Sequence, residues 1–386
     1  MKIIGCELFE VAVPTRRAHK WATSTQDVGD GYLIVMLRTD NNIEGYGEST
    51  AMAEWGGDFG RYYGETAATT RVVIENHLFP AICDMDPFDI DLIHLKMDKA
   101  IRGYPYAKTA MDVALYDVMG KALDRPVYKL LGGCHRQRIP IAHSLGLMPV
   151  DDAVEEAVVA VNEGICNIKI KGGLDYNRDL ELIKKLRNTL RPEVSLVLDA
   201  NQSYPTAKEA VKWCKRMDAY NLFYIEQPVE GLEPMRQVTQ MLEVPVCADE
   251  SCWTLADGID LIRNAAADFF SLYTTKPGGL YPARMLAKLA ENASIRCNVN
   301  GSGEFGIGNA ANLHLAASGR NINLPSVIPV TNIAGKEQTK VAGRFFIDDI
   351  ITKPFLYEDG HLVVPDTPGL GIEVDMQKMQ KYAVKK

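Results

Sequence analysis

The chain has eight cysteines in 386 residues but no CxxC pair and no histidine at zinc-ligand spacing from them. Neither a disulfide frame nor a structural zinc site is indicated. Scattered at positions 6, 83, 134, 166, 214, 247, 252 and 297, most of them read as small buried hydrophobes in a reducing cytosol. No apolar run reaches membrane-spanning length, which excludes a transmembrane helix. Positive charge is in deficit: 42 Lys and Arg against 50 Asp and Glu give a net charge of −8, whereas a nucleic-acid partner needs a basic stripe. The first fourteen residues lack a basic start, a long apolar stretch and a cleavage site, and read as a strand rather than a leader. What remains is a cytoplasmic globular protein of ordinary composition, 47% hydrophobic and 24% charged, long enough for two domains.

The first part mixes strand signals (3–13, 32–38) with helical patterns (66–78, 106–123) and shows no strict alternation, which predicts an α+β unit. Two polar, glycine-containing loops interrupt it at 15–31 and 49–64; they carry Lys20, Trp21, Trp55 and Tyr62, and loops of that length in a compact domain are usually functional or disordered. A linker signature of ArgPro, GlyGly and basic residues falls at 125–138. From about residue 139, strand-length apolar runs alternate with amphipathic stretches at 150–163, 174–191 and 208–220, the mark of a parallel sheet. Strands are expected near 139–144, 166–171, 195–200, 222–227, 245–250, 268–273 and 296–299, with a weak eighth near 321–325. Seven or eight such units fit a closed α/β barrel better than an open sheet. The tail from about 334 holds no further βα unit and is expected to pack back on the first domain. The division is 1–128 cap, 129–333 barrel and 334–386 tail.

Three acids end three successive strand-like runs: Asp199 in SLVLDAN, Glu226 in LFYIEQP and Asp249 in PVCADES. The run before them, CNIKIKGG, carries Lys169 and Lys171, which share one side of a strand. In a parallel barrel the strands' C-terminal ends form the functional face. Any one of the acids alone reads equally well as a strand-end cap or an ion-pair partner. Three together in a partly dry pocket raise one another's pKa unless a cation neutralises them, and all-oxygen ligation favours Mg²⁺, with Mn²⁺ possible. A lysine whose pKa is lowered by a neighbouring ammonium and by burial can accept a proton. With a substrate carboxylate on the metal, charge formed at the adjacent carbon would be held as an enediolate.

The KxK pair, GluGlnPro, AlaAspGluSer and the GlyGly after the sixth strand resemble the muconate lactonizing subgroup of the enolase superfamily, as do segments 13–20, 43–50, 101–103 and 368–372. The superfamily pairs a Lys or His base with Mg²⁺. The resemblance implies a modified (β/α)₇β TIM barrel under an N-terminal α+β capping domain completed by the C-terminal segment. It implies Asp199, Glu226 and Asp249 as metal ligands, Lys171 as acid/base with Lys169 as its neighbour, and Glu304 near the substrate. The two long cap loops would choose the substrate, with Lys20 and Trp55 from the cap and Asn300 from the barrel as contacts. A homo-oligomer, an octamer among the options, follows from the same likeness.

One position departs from the pattern. The family's second lysine at the end of the sixth strand is replaced by Tyr273 in SLYTTKPGG. Lys276, three residues on and of opposite parity, is expected to meet solvent or a backbone carbonyl. A phenol with pKa near 10 is a poor base and a good neutral donor, so two-base racemisation becomes harder and one-faced chemistry easier. The histidine that the mandelate racemase subgroup carries at the seventh strand is missing from RCNVNG. His314 lies in a helical pattern and reads as structural; His143, on the first strand, could reach the barrel mouth or be a satisfied polar residue. The expected activity is a muconate cycloisomerase-like isomerase or lyase acting on a small carboxylate or diacid. The alternatives are a hydroxy- or sugar-acid dehydratase, an amino-acid racemase or epimerase, and a metal-binding relict without turnover.

Overall fold

Seven short parallel strands organise the molecule in this computed structural model, which describes residues 1–26 and 31–384. They are His143–Leu145, Asn167–Lys171, Ser195–Asp199, Leu222–Glu226, Val246–Ala248, Phe269–Leu272 and Arg296–Val299, and each pairs with the next in chain order. A helix follows each strand, from Val150–Asn162 to Gly306–Ser318. The helix Ala207–Asp218 illustrates why. Thr206 caps its first turn by accepting from the Glu209 N–H, and Ala207, Ala210, Val211, Cys214 and Met217 put one apolar stripe on the sheet.

The ring closes through the segment expected to be a weak eighth strand. Parallel bridges join Ile322 to Cys297 and Ser326 to Ile141. Only isolated bridges form, because Pro325 has no N–H to offer a ladder. The first expected strand, 139–144, divides in two. Arg138–Pro140 pairs antiparallel with His361–Val363, and the barrel strand starts only at His143. The tail therefore meets the barrel as well as the cap, where Ala383 bridges Val11 and the Leu370 N–H donates to Asp117 at 2.9 Å.

The cap is an antiparallel sheet of Ile3–Val11, Tyr32–Thr39 and Glu44–Ser49 covered by the helix Pro105–Ala122. That helix is buried at every residue from Pro105 to Gly120, because it lies between the cap sheet and the barrel. Glycine is required at two strand positions beneath it: a Cβ on Gly45 or Gly47 would run into the helix carbonyls of Ala114 and Ala110. Within the first long loop, His19–Lys20 pairs with Thr25–Gln26; its residues 27–30 lie outside the described residues. The cysteines are all free, but only Cys214, Cys247, Cys252 and Cys297 are buried; Cys134 and Cys166 are exposed. The expectation that most are core residues thus holds for half of them. Among the described residues no helix is long and apolar enough to cross a membrane.

Candidate active site

Strand register assembles the centre. Lys171 stands opposite Asp199, and Asp199 opposite Glu226, so one row of inward-facing positions at the strand ends carries an ammonium and two carboxylates. Asp249 follows one residue beyond the fifth strand. All three acids are almost completely buried, at 0%, 0% and 1% exposure. Lys169 lies 2.6 Å from Glu226 and 3.0 Å from Asp199, and Lys171 lies 2.7 Å from Asp199 and 2.9 Å from the Asn201 side-chain oxygen.

The charges are unevenly satisfied. Burial works to raise the Asp199 carboxyl, but the ammonium groups of Lys169 and Lys171 outweigh it and hold the pKa at about 2. Burial and the neighbouring aspartates push Glu226 up to about 8 in spite of Lys169. Burial lowers Lys169, yet Asp199 and Glu226 dominate and keep it well above the ordinary lysine value. Lys169, the neighbour expected to tune Lys171, has carboxylates as its nearest charges. Among the described residues no three acidic, histidine or cysteine side chains stand close enough to grip an ion as placed; Lys169 bridges Asp199 and Glu226, while Lys276 and Tyr273 take Asp249. The donor set nonetheless suits a hard divalent cation. The Oε2 atoms of Glu226 and of its neighbour Glu250 are buried with no partner, a costly state that an oxygen-seeking ion would relieve.

Tyr273 and Lys276 complete the inner wall. The Tyr273 hydroxyl donates to Asp249 Oδ2 at 3.2 Å. Burial, with Asp249 next in weight, pushes the phenol well above its usual pKa, so it remains a neutral donor. The expectation for Lys276 needs correction. Its ammonium is 1% exposed and binds Asp249 Oδ1 at 2.7 Å together with the carbonyls of Asp249 and Ser271. The carbonyl contact was anticipated, but solvent is excluded. The parity argument failed because the strand stops at Leu272 and the chain turns there.

A cavity of about 70 Å³ opens above this row. Trp55 lines it, 5.1 Å from the rings of both Tyr273 and Trp253. Three other expected contacts are placed elsewhere. Lys20 is exposed while its neighbours His19 and Trp21 face the cavity, as alternation along a strand demands. Asn300 sits beneath Glu226, donating to Ser271 Oγ at 2.9 Å and accepting from the Val327 N–H at 2.8 Å. Glu304 is buried behind the turn 301–303, accepting from the Ser302 N–H at 2.9 Å; the turn, not the carboxyl, meets the cavity. His314 is structural, accepting from the Tyr128 N–H and donating to the Leu370 carbonyl. His143 is the satisfied polar residue, accepting from the Gly343 N–H and donating to Glu156 at 3.0 Å. Sequence reasoning missed His19, Ser144, Asn201 and Phe345, all of which line the cavity. The parity of His19 about Lys20 was the one available signal.

A parallel barrel with acids and lysines at its strand ends, roofed by an α+β cap, defines a class of barrel enzyme. The family description "Enolase C-terminal domain-like" matches residues 152–378, and "Mandelate racemase / muconate lactonizing enzyme, N-terminal domain" matches 3–132. Muconate cycloisomerase 1 of Rhodococcus opacus is 30% identical, with 99% of this chain and 98% of that protein covered. The crystal structure of N-succinyl Arg/Lys racemase from Bacillus cereus superposes with a TM-score of 0.90 at 28% identity, covering 100% and 99%. A dipeptide epimerase from Enterococcus faecalis, complexed with Mg and L-Leu-L-Tyr, gives 0.85 at 29% identity, covering 97% and 100%. The chain belongs to the enolase superfamily, in its muconate lactonizing subgroup, and is an enzyme of that superfamily.

Proposed function

We propose that the protein moves a proton at the carbon beside a small substrate's carboxylate, working from one face, as a cycloisomerase-like isomerase or lyase. The observation that carries this is Tyr273. Where a second basic group would serve the opposite face there is a buried phenol, kept neutral and hydrogen-bonded to Asp249, and Lys276 is tied to backbone carbonyls. Racemisation needs a proton-transfer group on each face, each contributing about 10²–10⁴ in rate; cycloisomerisation and elimination need only one.

Lys171 is the proton-transfer residue. It is more accessible than Lys169, with 14% of its side chain exposed against 4%, and both line the cavity. Asp199, Glu226 and Asp249 would hold Mg²⁺, or Mn²⁺. The ion would supply fixed positive charge beside the substrate carboxylate. Lys169 stays cationic next to Asp199 and Glu226 and balances their charge. Tyr273 donates a hydrogen bond on the far side, Trp55 and Phe345 exclude water, and the turn at 301–303 shapes the remaining wall. The first substrate to try is a muconate-like diacid, followed by hydroxy acids.

Incubation of the Mg²⁺-loaded enzyme with a carboxylate library in D₂O tests this. Lactone formation or loss of a β-substituent, abolished in Lys171→Ala, is the expected result. Exchange with inversion that survives Lys171→Ala would overturn it, and binding without any Lys171-dependent reaction would identify a relict.

A further inference from the structure

We propose that His19 and Ser144, one from the cap and one from the first barrel strand, form a donor relay that recognises an oxygen on the substrate away from its metal-directed carboxylate. The inference rests on the one-faced reading above and specifies its substrate class: carboxylates that carry a hydroxyl, carbonyl or second carboxylate oxygen. His19 is 6% exposed and Ser144 5%, and both line the cavity together with Lys171.

The chain of contacts fixes which atom donates. Glu156 grips the Arg17 guanidinium with two bonds, Nε at 3.0 Å and Nη2 at 2.6 Å. Arg16 and His143 hold the same carboxylate at 3.0 Å each. Arg17 is thereby held in place, and its Nη1 reaches His19 Nδ1 at 3.3 Å. A guanidinium only donates, so Nδ1 must be the bare nitrogen and the ring proton must sit on Nε2. That Nε2 lies 3.3 Å from Ser144 Oγ, which accepts and keeps its own hydroxyl proton free to donate into the cavity. The imidazole is kept neutral by burial first, then by the charges of Lys171 and Arg17. Phe345 packs against the ring at 4.9 Å, which restricts its rotation.

This arrangement discriminates because a donor that finds no partner at this buried end of the cavity is left unpaired, and sites built that way reject the analogue lacking the acceptor. Apart from Lys169 and Lys171 the residues lining the cavity carry no positive charge, so a remote oxygen on the substrate has to be met by neutral donors of this kind.

The test uses the Mg²⁺-loaded enzyme and matched probe pairs: 3-hydroxybutanoate against butanoate, and glutarate against pentanoate. Binding is read by quenching of tryptophan fluorescence and reaction by deuterium exchange. The wild type should bind the oxygen-bearing member of each pair at least tenfold more tightly. His19→Leu should reduce that preference to about threefold or less by weakening only the oxygen-bearing probes. His19→Gln, whose amide can donate near the Nε2 position, should restore most of it, and Ser144→Ala should lose most of it. Equal weakening of both members in His19→Leu, no preference in the wild type, or no binding by any probe would overturn the assignment; melting temperatures identify a variant that has simply failed to fold, and Ser144→Ala then decides. A His19-dependent preference with no Lys171-dependent exchange would leave the relay standing and remove the proton-transfer reading instead.

Discussion

Lys171 and Tyr273 both line the cavity with unequal chemistry, and two substitutions measure the inequality. Lys171→Ala should reduce turnover by about 10²–10⁴, the value of a positioned acid/base. Tyr273→Phe removes one neutral hydrogen bond to Asp249 and should cost only about tenfold. Equal losses in steady-state kinetics would make the phenol a second acid/base and reverse the proposed stereochemistry. Glu304 makes a different prediction. Burial pushes its carboxyl up to about 7 from the ordinary 4.5, so the folded state holds the proton more tightly than the unfolded chain does. The resulting contribution is fully present below about pH 4.5 and is lost as the pH rises through 7. Glu304→Gln should therefore become progressively more stable than the wild type between pH 5 and 7, by an amount on the order of 3 kcal/mol at most, and the difference should level off above that. Denaturant melts at several pH values check it; a difference independent of pH would refute the buried-acid account.

At the scale of elements, the second cap loop is latched to three barrel loops. Asp58 accepts from Gln202 Nε2 at 2.7 Å and from the Gly231 N–H at 3.2 Å. Arg61 and Tyr62 both bind Asp257 at 2.8 Å, and the Tyr62 ring stacks on Trp253 at 4.9 Å. The loop carries Met52 and Trp55 into the cavity, so loosening it should weaken substrate binding more than chemistry. Asp58→Ala removes two bonds and should raise KM about tenfold while kcat changes less than threefold; a fall in kcat alone would contradict it. Elements were also where the sequence was most legible. Apolar runs of strand length revealed six of the seven barrel strands and only the start of the first, and three acids at the strand ends marked the row of buried charges. What remained hidden depended on where strands stop. Pro140 and Pro325 cut the ladder on either side of the barrel seam, and the turn after Leu272 brought Lys276 inward against its parity. Lys20 was singled out for its charge, although strand alternation turns His19 and Trp21, not Lys20, towards the cavity.

For the molecule as a whole, the acids at the barrel mouth set a balance between folding and metal binding. Asp199, Glu226 and Asp249 are buried, with Lys169 paired to the first two and Lys171 to Asp199, and Glu226 Oε2 has no partner. An ion that binds only the folded chain stabilises it by mass action, about 2.7 kcal/mol at a hundred times its Kd. For a chain of this length that is roughly 3 °C in Tm. Mg²⁺ should therefore raise the melting temperature by about that much, EDTA should reverse the shift, and Glu226→Gln or Asp249→Asn should nearly abolish it. Lys169 sharpens the test because it is the cation shared by Asp199 and Glu226. Lys169→Met removes the positive charge that Glu226 and Asp199 hold at 2.6 and 3.0 Å, leaving Glu226 with no ammonium beside it at a cost of several kcal/mol. The metal-free variant should melt lower than the wild type, and its Mg²⁺-induced shift should be larger, since the ion then compensates charge that the lysine no longer does. A shift of equal size in wild type, Glu226→Gln and Lys169→Met would mean that the cation binds elsewhere and that the carboxylates at the strand ends serve only the lysines beside them.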